Sequence, residues 1–228
     1  TKIVDLGFAC SDTAGKSKYT KSFLKSNKYH IINNAINIEK YVYSEINRNN
    51  IRKQLGLEDK IVIGNVGRLS YEKNQKFLLE ILTKLREKEP KARLLLIGGG
   101  AMEGELKKRA CELGVSDSVV FTGNVFDTEK YYSAMDVYVM TSIYEGLPFT
   151  VIEAQVNGLK CVLTDAITTM ADVSGDSCFL SIHDDVEQWE EKILTHITRS
   201  EEIRTQKVKD MYDMKKETFK FHGGNHKV

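Results

Sequence analysis

The chain has 228 residues, of which 41% are hydrophobic and 29% charged, and its formal net charge is +1. These proportions suit a soluble globular chain with a real core, and the near-neutral balance gives no global case for nucleic-acid binding. No apolar run approaches the roughly 18 residues of a membrane span and no signal-peptide pattern opens the sequence, so the expected location is the cytoplasm.

In chain order, "KIVDLGFACS" and "YHIINNAIN" read as two strands around a helical stretch rich in lysine. Between Thr13 and Ile38 stand Lys16, Lys18, Lys21, Lys25 and Lys28 with no acidic residue. Lys18, Lys21, Lys25 and Lys28 follow helical spacing, which predicts one basic stripe. Such a stripe is either a solvated face or a peripheral contact with anionic head groups at the inner face of a membrane. Two strands and one helix are too little for an independent core. Residues 1–40 are therefore expected to be the remnant of an N-terminal domain plus a hinge, with the boundary near 38–45. Residues 41–205 form the main domain and 206–228 a C-terminal helix and tail. His222 and His226 in that tail have a metal-like spacing, but a frayed polar terminus explains them as well, and no metal site is expected.

Beyond the polar passage that follows, short apolar runs alternate with helical patterns. "KIVIGNVG" (60–67) is β-branched and ends on Gly67, whereas "QKFLLEILTKLREKEP" (75–90) carries Phe77, Leu78, Ile81, Leu82 and Leu85 at helical spacing. "RLLLIGGG" (93–100), "SVVFTGN" (118–124), "DVYVMTS" (136–142) and "KCVLTD" (160–165) are further strands, and "EGELKKRACELG" (103–114) a further helix. Trp189, Ile193 and Ile197 make an i, i+4, i+8 stripe. This alternation predicts an α/β fold, a doubly wound Rossmann-like parallel sheet with helices on both faces. Ligands of such sheets bind beyond the carboxyl ends of the strands. Arg68, the triple glycine, Asn124 and Glu145 each follow a strand, so an anionic, nucleotide-like ligand is expected there. The four cysteines are scattered without a C-x-x-C pair and read as free thiols.

Two nucleotide motifs come close and fail. "CSDTAGKS" (10–17) has the Gly-Lys-Ser of a P-loop, but Cys10 replaces the first glycine and removes the permissive turn. "GGGAMEG" (98–104) has Glu103 where a dinucleotide fingerprint needs its third glycine. "GRLSYEKN" (67–74), in contrast, places Arg68 and Lys73 between a strand end and a helix start, where helix amides add to their pull on a diphosphate. In "YEGLPFTVIEAQVNGLKCVLTD" (144–165), Pro148 suits a helix's first turn and Gly158 its end. Glu145 stands where a helix cap could sit. Glu153 has no such explanation among its apolar neighbours.

Taken together, Arg-x4-Lys, the glycine turn, "FTGNV" (121–125) and the E-x7-E of "EGLPFTVIE" (145–153) occur in one order. With these motifs the chain resembles the donor-binding, C-terminal domain of the family 4 glycosyltransferases of the GT-B fold, over about residues 5–205. It looks most like the bacterial exopolysaccharide and capsule enzymes, which share "INN" before the linker and "EGLP…IEAQ". The resemblance implies that Glu153 holds ribose hydroxyls of a nucleotide sugar and that Glu145 contacts the sugar near the reacting carbon. Gly146, Leu147, Phe149 and Thr150 follow Glu145 where backbone amides meet the diphosphate. Arg68 and Lys73 would stabilise the leaving group, while Asn124 and Val125 frame the base. Many members have glycine where this chain has Pro148, so one amide donor is lost.

The implied function is retaining, metal-independent transfer of a hexose from a nucleotide diphosphate, UDP by expectation, to a saccharide or lipid-linked saccharide. No Asp-x-Asp motif is present, in keeping with charge supplied by the protein, and no cofactor is expected beyond the nucleotide-sugar substrate. A missing N-terminal domain would supply the acceptor side. Two rivals remain: a nucleotide-sugar epimerase of the same fold, and a non-catalytic nucleotide-sugar-binding module, which would have no need of Glu145.

Overall fold

The computed structural model describes residues 6–9, 15, 16, 18–31 and 36–197. The chain divides into two compact units, Thr1–Ile38 with Lys209–Val228, and Glu39–Val208. The expected tail at 206–228 and its two histidines lie outside the described residues, as does most of the P-loop-like stretch.

In the first unit, β1 (Gly7–Ala9) pairs in parallel with β2 (Tyr29–Ile31). Between them Gly15, Lys16 and Lys18 are helical, the chain bends at Tyr19, and a separate helix of only four residues follows, α1 (Lys21–Leu24), which corrects the expectation of a continuous lysine stripe. Thr20 caps it by accepting from the Phe23 amide. The Ser26 hydroxyl donates to the Phe23 carbonyl at 2.7 Å and turns the chain out of the helix. Lys25 is already the C-cap and Lys28 lies in a turn, so the spacing that would align them has no helix to act on.

The second unit carries the sheet. A short helix, α2 (Ile38–Tyr41), leads into α3 (Glu45–Leu55). The latter arises in the polar, asparagine-rich passage before the first strand of the main domain. Ser44 caps it by accepting from the Asn47 amide, and Gly56 ends it in the left-handed region at φ 66°. Then follow β3 (Ile61–Val66), α4 (Gln75–Lys88), β4 (Ala92–Ile97), α5 (Glu103–Glu112), β5 (Val119–Phe121) and α6 (Thr128–Tyr132). The chain continues through β6 (Val137–Met140), α7 (Phe149–Val156), β7 (Cys161–Thr164), β8 (Cys178–Leu180) and α8 (Val186–His196).

All pairings in this sheet are parallel, in the order β5-β4-β3-β6-β7-β8. This is the doubly wound Rossmann-like arrangement that the alternation predicted. The strands are apolar throughout because both faces are covered. One face packs Val62, Val66, Tyr132, Tyr138, Val151 and Ala154, the other Leu78, Leu82, Leu94, Leu96, Val139 and Trp189. Trp189 and Ile193 of α8 are fully buried, as their spacing required. Among the described residues no helix is long and apolar enough to cross a membrane.

Candidate active site

Strand order reverses between β3 and β6, so the loops leaving their carboxyl ends open a crevice there. Several hydrogen bonds tie the two strands and loops together. The Asn65 side chain of β3 donates to the Val139 carbonyl at 2.8 Å. The Ile143 amide donates to the Glu72 carbonyl at 2.8 Å and the Thr141 hydroxyl to the Asn74 carbonyl at 3.0 Å. Asn74 takes φ 52°, a left-handed conformation asparagine tolerates, and swings the chain from a 3-10 turn (Tyr71–Lys73) into α4. This brings the Lys73 ammonium into an ion pair with Glu145. The Ser142 hydroxyl lies 3.4 Å from the same carboxylate oxygen. Glu145 therefore does not cap α7. It is matched to a cation from 72 residues earlier in the chain.

Arg68 is exposed at the end of β3, and its carbonyl accepts from the buried Gln75 side chain at 2.9 Å. Arg68, Asn124 and Val125 line a cleft of about 430 Å3 with Gly67, Gly98, Gly99, Gly100 and Thr128. The triple glycine makes this possible by letting two backbones touch. Gly98 has φ 123°, and a Cβ there would lie 2.2 Å from the Gly67 carbonyl oxygen; one at Gly100 would lie 2.2 Å from that of Leu69. Leu69 N donates to Gly99 O at 3.1 Å, and Asn124 Oδ1 accepts from the Gly99 amide at 2.9 Å. The glycines thus form a joint between the loops after β3 and β4. They also follow the second strand of the sheet rather than the first, which removes the dinucleotide fingerprint. Lys73 and Glu145 stand beside the cleft, with Lys73 Cε 3.6 Å from where a Gly67 Cβ would be.

Helix α7 begins at Phe149, with Pro148 one position earlier than expected, at its N-cap. Proline has no side chain that can cap, so the terminus is left to backbone amides and whatever meets them. The preceding Gly146 is exposed, and Leu147 packs against the core. At the other end Leu159 N bonds Ala154 O at 3.0 Å and Gly158 takes φ 80°, as its place in the sequence suggested.

Glu153 is not surrounded by apolar groups alone. The Tyr132 hydroxyl donates to its Oε2 at 2.6 Å. Burial pushes the Glu153 carboxyl up, against the pull of hydrogen bonds from Tyr132 and Tyr41. One turn earlier on α7, Thr150 accepts from the Tyr138 hydroxyl at 2.9 Å. Sequence reasoning missed Gln75, Thr128, Tyr132 and Ser142. Tyr132 in "KYYSAM" carries no signal beyond that of an ordinary core aromatic.

Residues 47–213 match the family described as Glycosyl transferases group 1. The chain belongs to that family. The chain is 31% identical over 187 residues to EpsF of Bacillus subtilis (strain 168), covering 81% of this chain and 49% of EpsF. It is 37% identical over 131 residues to mannosylfructose-phosphate synthase of Agrobacterium fabrum, covering 53% of this chain and 29% of that protein. The chain thus spans about half the length of EpsF. Among solved structures it resembles Anabaena HepE in complex with UDP and glucose, with a TM-score of 0.76 and 20% identity. That match covers 98% of this chain and 63% of HepE. It also resembles the C-terminal domain of the group 1 protein LpcC from Francisella tularensis, with a TM-score of 0.65 and 18% identity, over 78% of this chain and 99% of that domain. At these identities the structural likeness establishes the GT-B type of fold.

Proposed function

We propose that the second unit is the donor-binding half of a retaining glycosyltransferase, taking a nucleotide sugar, with UDP as the nucleotide. The hexose would pass to a saccharide or lipid-linked saccharide in polysaccharide biosynthesis. In the whole protein, acceptor contacts would fall to the part of its relatives' length that this chain does not span.

The observation that carries the reading is the Lys73–Glu145 pair, placed at the sheet's switch point beside the Arg68 cleft. In the free protein the two charges neutralise each other. A bound sugar diphosphate separates their tasks. Arg68 and Lys73 face the diphosphate, whose negative charge grows as the glycosidic bond breaks, and cations fixed in place stabilise that growth. Glu145, relieved of its cation, accepts hydrogen bonds from the sugar hydroxyls. The amides entering α7 at Phe149 and Thr150, with the helix dipole behind them, meet a phosphate. Asn124 and Val125 border the base, and Glu153 accepts the ribose hydroxyls. Because Arg68 and Lys73 provide the countercharge, the reaction is proposed to run without a metal. HepE in complex with UDP, and with UDP and glucose, supports the choice of nucleotide.

A thermal-shift titration with UDP in excess EDTA tests this. UDP at about 100 times its dissociation constant should add about 2.7 kcal/mol of stability, unchanged by the chelator. A chain that UDP does not stabilise under any condition would sink the donor reading. A strict need for magnesium or manganese would sink its metal independence.

A further inference from the structure

Three tyrosines lie under the polar face of α7. Tyr132 is fully buried, and its ring meets that of Tyr41 edge-on, with 5.8 Å between centroids, and that of Tyr138 at 6.2 Å. Tyr138 holds the Thr150 hydroxyl at 2.9 Å and lies 3.4 Å from the carbonyl of Val66, at the edge of the cleft. Tyr132 holds Glu153 Oε2 at 2.6 Å, and Tyr41, which packs on the Tyr132 ring, also pulls the carboxyl's pKa down. Thr150 and Glu153 are three residues apart and so share one helix face. Core packing alone would be served by phenylalanine at 132 and an apolar residue at 153. A half-buried carboxylate held by a buried phenol carries a desolvation cost that packing does not require.

We propose that Tyr132 is a positioning residue for Glu153, occupying one side of its carboxylate so that the remaining acceptor sites meet the vicinal diol of the nucleotide's ribose. The inference rests on the reading of Glu153 as the ribose contact. An ionised carboxylate offers about four acceptor sites; the Tyr132 hydroxyl occupies one on Oε2, and the sites left on Oε1 and Oε2 are enough for the two hydroxyls of a cis-diol. A protonated carboxyl would turn one site into a donor, so the arrangement works only in the ionised state. The groups bearing on the carboxylate are Tyr132 and Tyr41, which pull its pKa down, and Glu129, whose charge raises it alongside burial. Tyr132's own pKa lies well above the usual tyrosine value, through burial and the Glu153 charge, so its hydroxyl stays a donor.

The test is calorimetric titration of the full chain with UDP and with 2′-deoxyuridine 5′-diphosphate. Tyr132→Phe should weaken UDP about five- to tenfold, less than loss of a direct contact because Glu153 itself remains, and the deoxy analogue less than twofold. In a Glu153→Gln background the same change should add nothing further. The acid limit of UDP binding should move to higher pH in Tyr132→Phe, because the carboxyl loses a group that keeps it ionised. If Tyr132→Phe fails to fold, Tyr41→Phe at its half-buried position should show the same selectivity at lower amplitude. Equal losses for both nucleotides, with Glu153→Gln still distinguishing them, would overturn the positioning role and leave the ribose reading intact. If Glu153→Gln itself fails to distinguish them, the ribose reading falls and this inference with it.

Discussion

Two charge clusters sit at opposite ends of the same sheet and are built differently. At the amino end, Asp136 accepts from Arg48 at 2.6 Å and Arg52 at 2.6 Å, and from the Val62 amide of β3 at 2.8 Å. Arg52 spends its other donors on the carbonyls of Ala134 at 2.9 Å and Lys60 at 3.0 Å, and Arg48 donates to Met135 at 3.0 Å. Burial lowers the Arg52 guanidinium's pKa, and Asp136 raises it back. This cluster is closed, with its donors and acceptors matched inside the protein. At the carboxyl end the charges are underused. Arg68 is exposed, Lys73 and Glu145 have mainly each other, and the glycine-lined cleft lies alongside. The closed cluster anchors α3 to the sheet, whereas the open one, in the function proposed above, keeps charge available for a ligand.

The sharpest way to break this contrast is to remove one partner from each end. Asp136→Asn leaves the buried Arg52 charge without its counter-ion, which should cost about 3–5 kcal/mol, read as a lower urea midpoint with an unchanged slope. UDP affinity of the folded protein should stay the same. A loss of binding without a loss of stability would make the amino-end cluster functional and erase the distinction.

At the open end, Arg68→Ala combined with Lys73→Ala should weaken UDP at least tenfold by calorimetry, since two charge-assisted contacts at about 1.5–3 kcal/mol each are removed. The melting temperature should fall as well, because Lys73→Ala leaves the largely buried Glu145 carboxylate without its cation, so affinity is read on the folded protein. Unchanged UDP affinity would remove the diphosphate assignment.

The smallest effect concerns Glu153, whose carboxyl is raised by burial. A raised folded-state value means that the native state binds the extra proton, so stability falls as pH rises from the ordinary carboxylate range through the raised value. Glu153→Gln should therefore melt at the same temperature as the parent or slightly above it at neutral pH. Any advantage should shrink on acidification while UDP binding is reduced. A clear loss of stability at neutral pH would place Glu153 with Asp136 as a structural carboxylate.

Much of this organisation is legible in the sequence because it is local. β-Branched runs bounded by glycine become buried strands wherever both faces are covered. Gly158 ends α7 because a left-handed residue closes a helix without help from distant residues. The order of motifs after successive strands places Arg68, Asn124 and Glu145 at one end of the sheet, since parallel crossovers leave that end free. The lysine stripe shows the limit of such reasoning. Its spacing was helical, but Ser26 competes for the backbone and stops the helix after four residues. The polar passage before β3 errs the other way, because α3 owes its place to Asp136, more than eighty residues ahead.

By itself, then, the amino-acid sequence determined the parallel α/β sheet, the end of it at which Arg68, Asn124 and Glu145 gather and the family to which the chain belongs. These depend on periodicity, turn residues and the order of motifs along the chain. Only the tertiary structure decided that Glu145 answers Lys73, that the triple glycine joins two loops and that Tyr132 holds Glu153. Each of these is a contact between segments remote in sequence, whose meeting is set by strand order, and neither partner carries a mark of the other in its own neighbourhood.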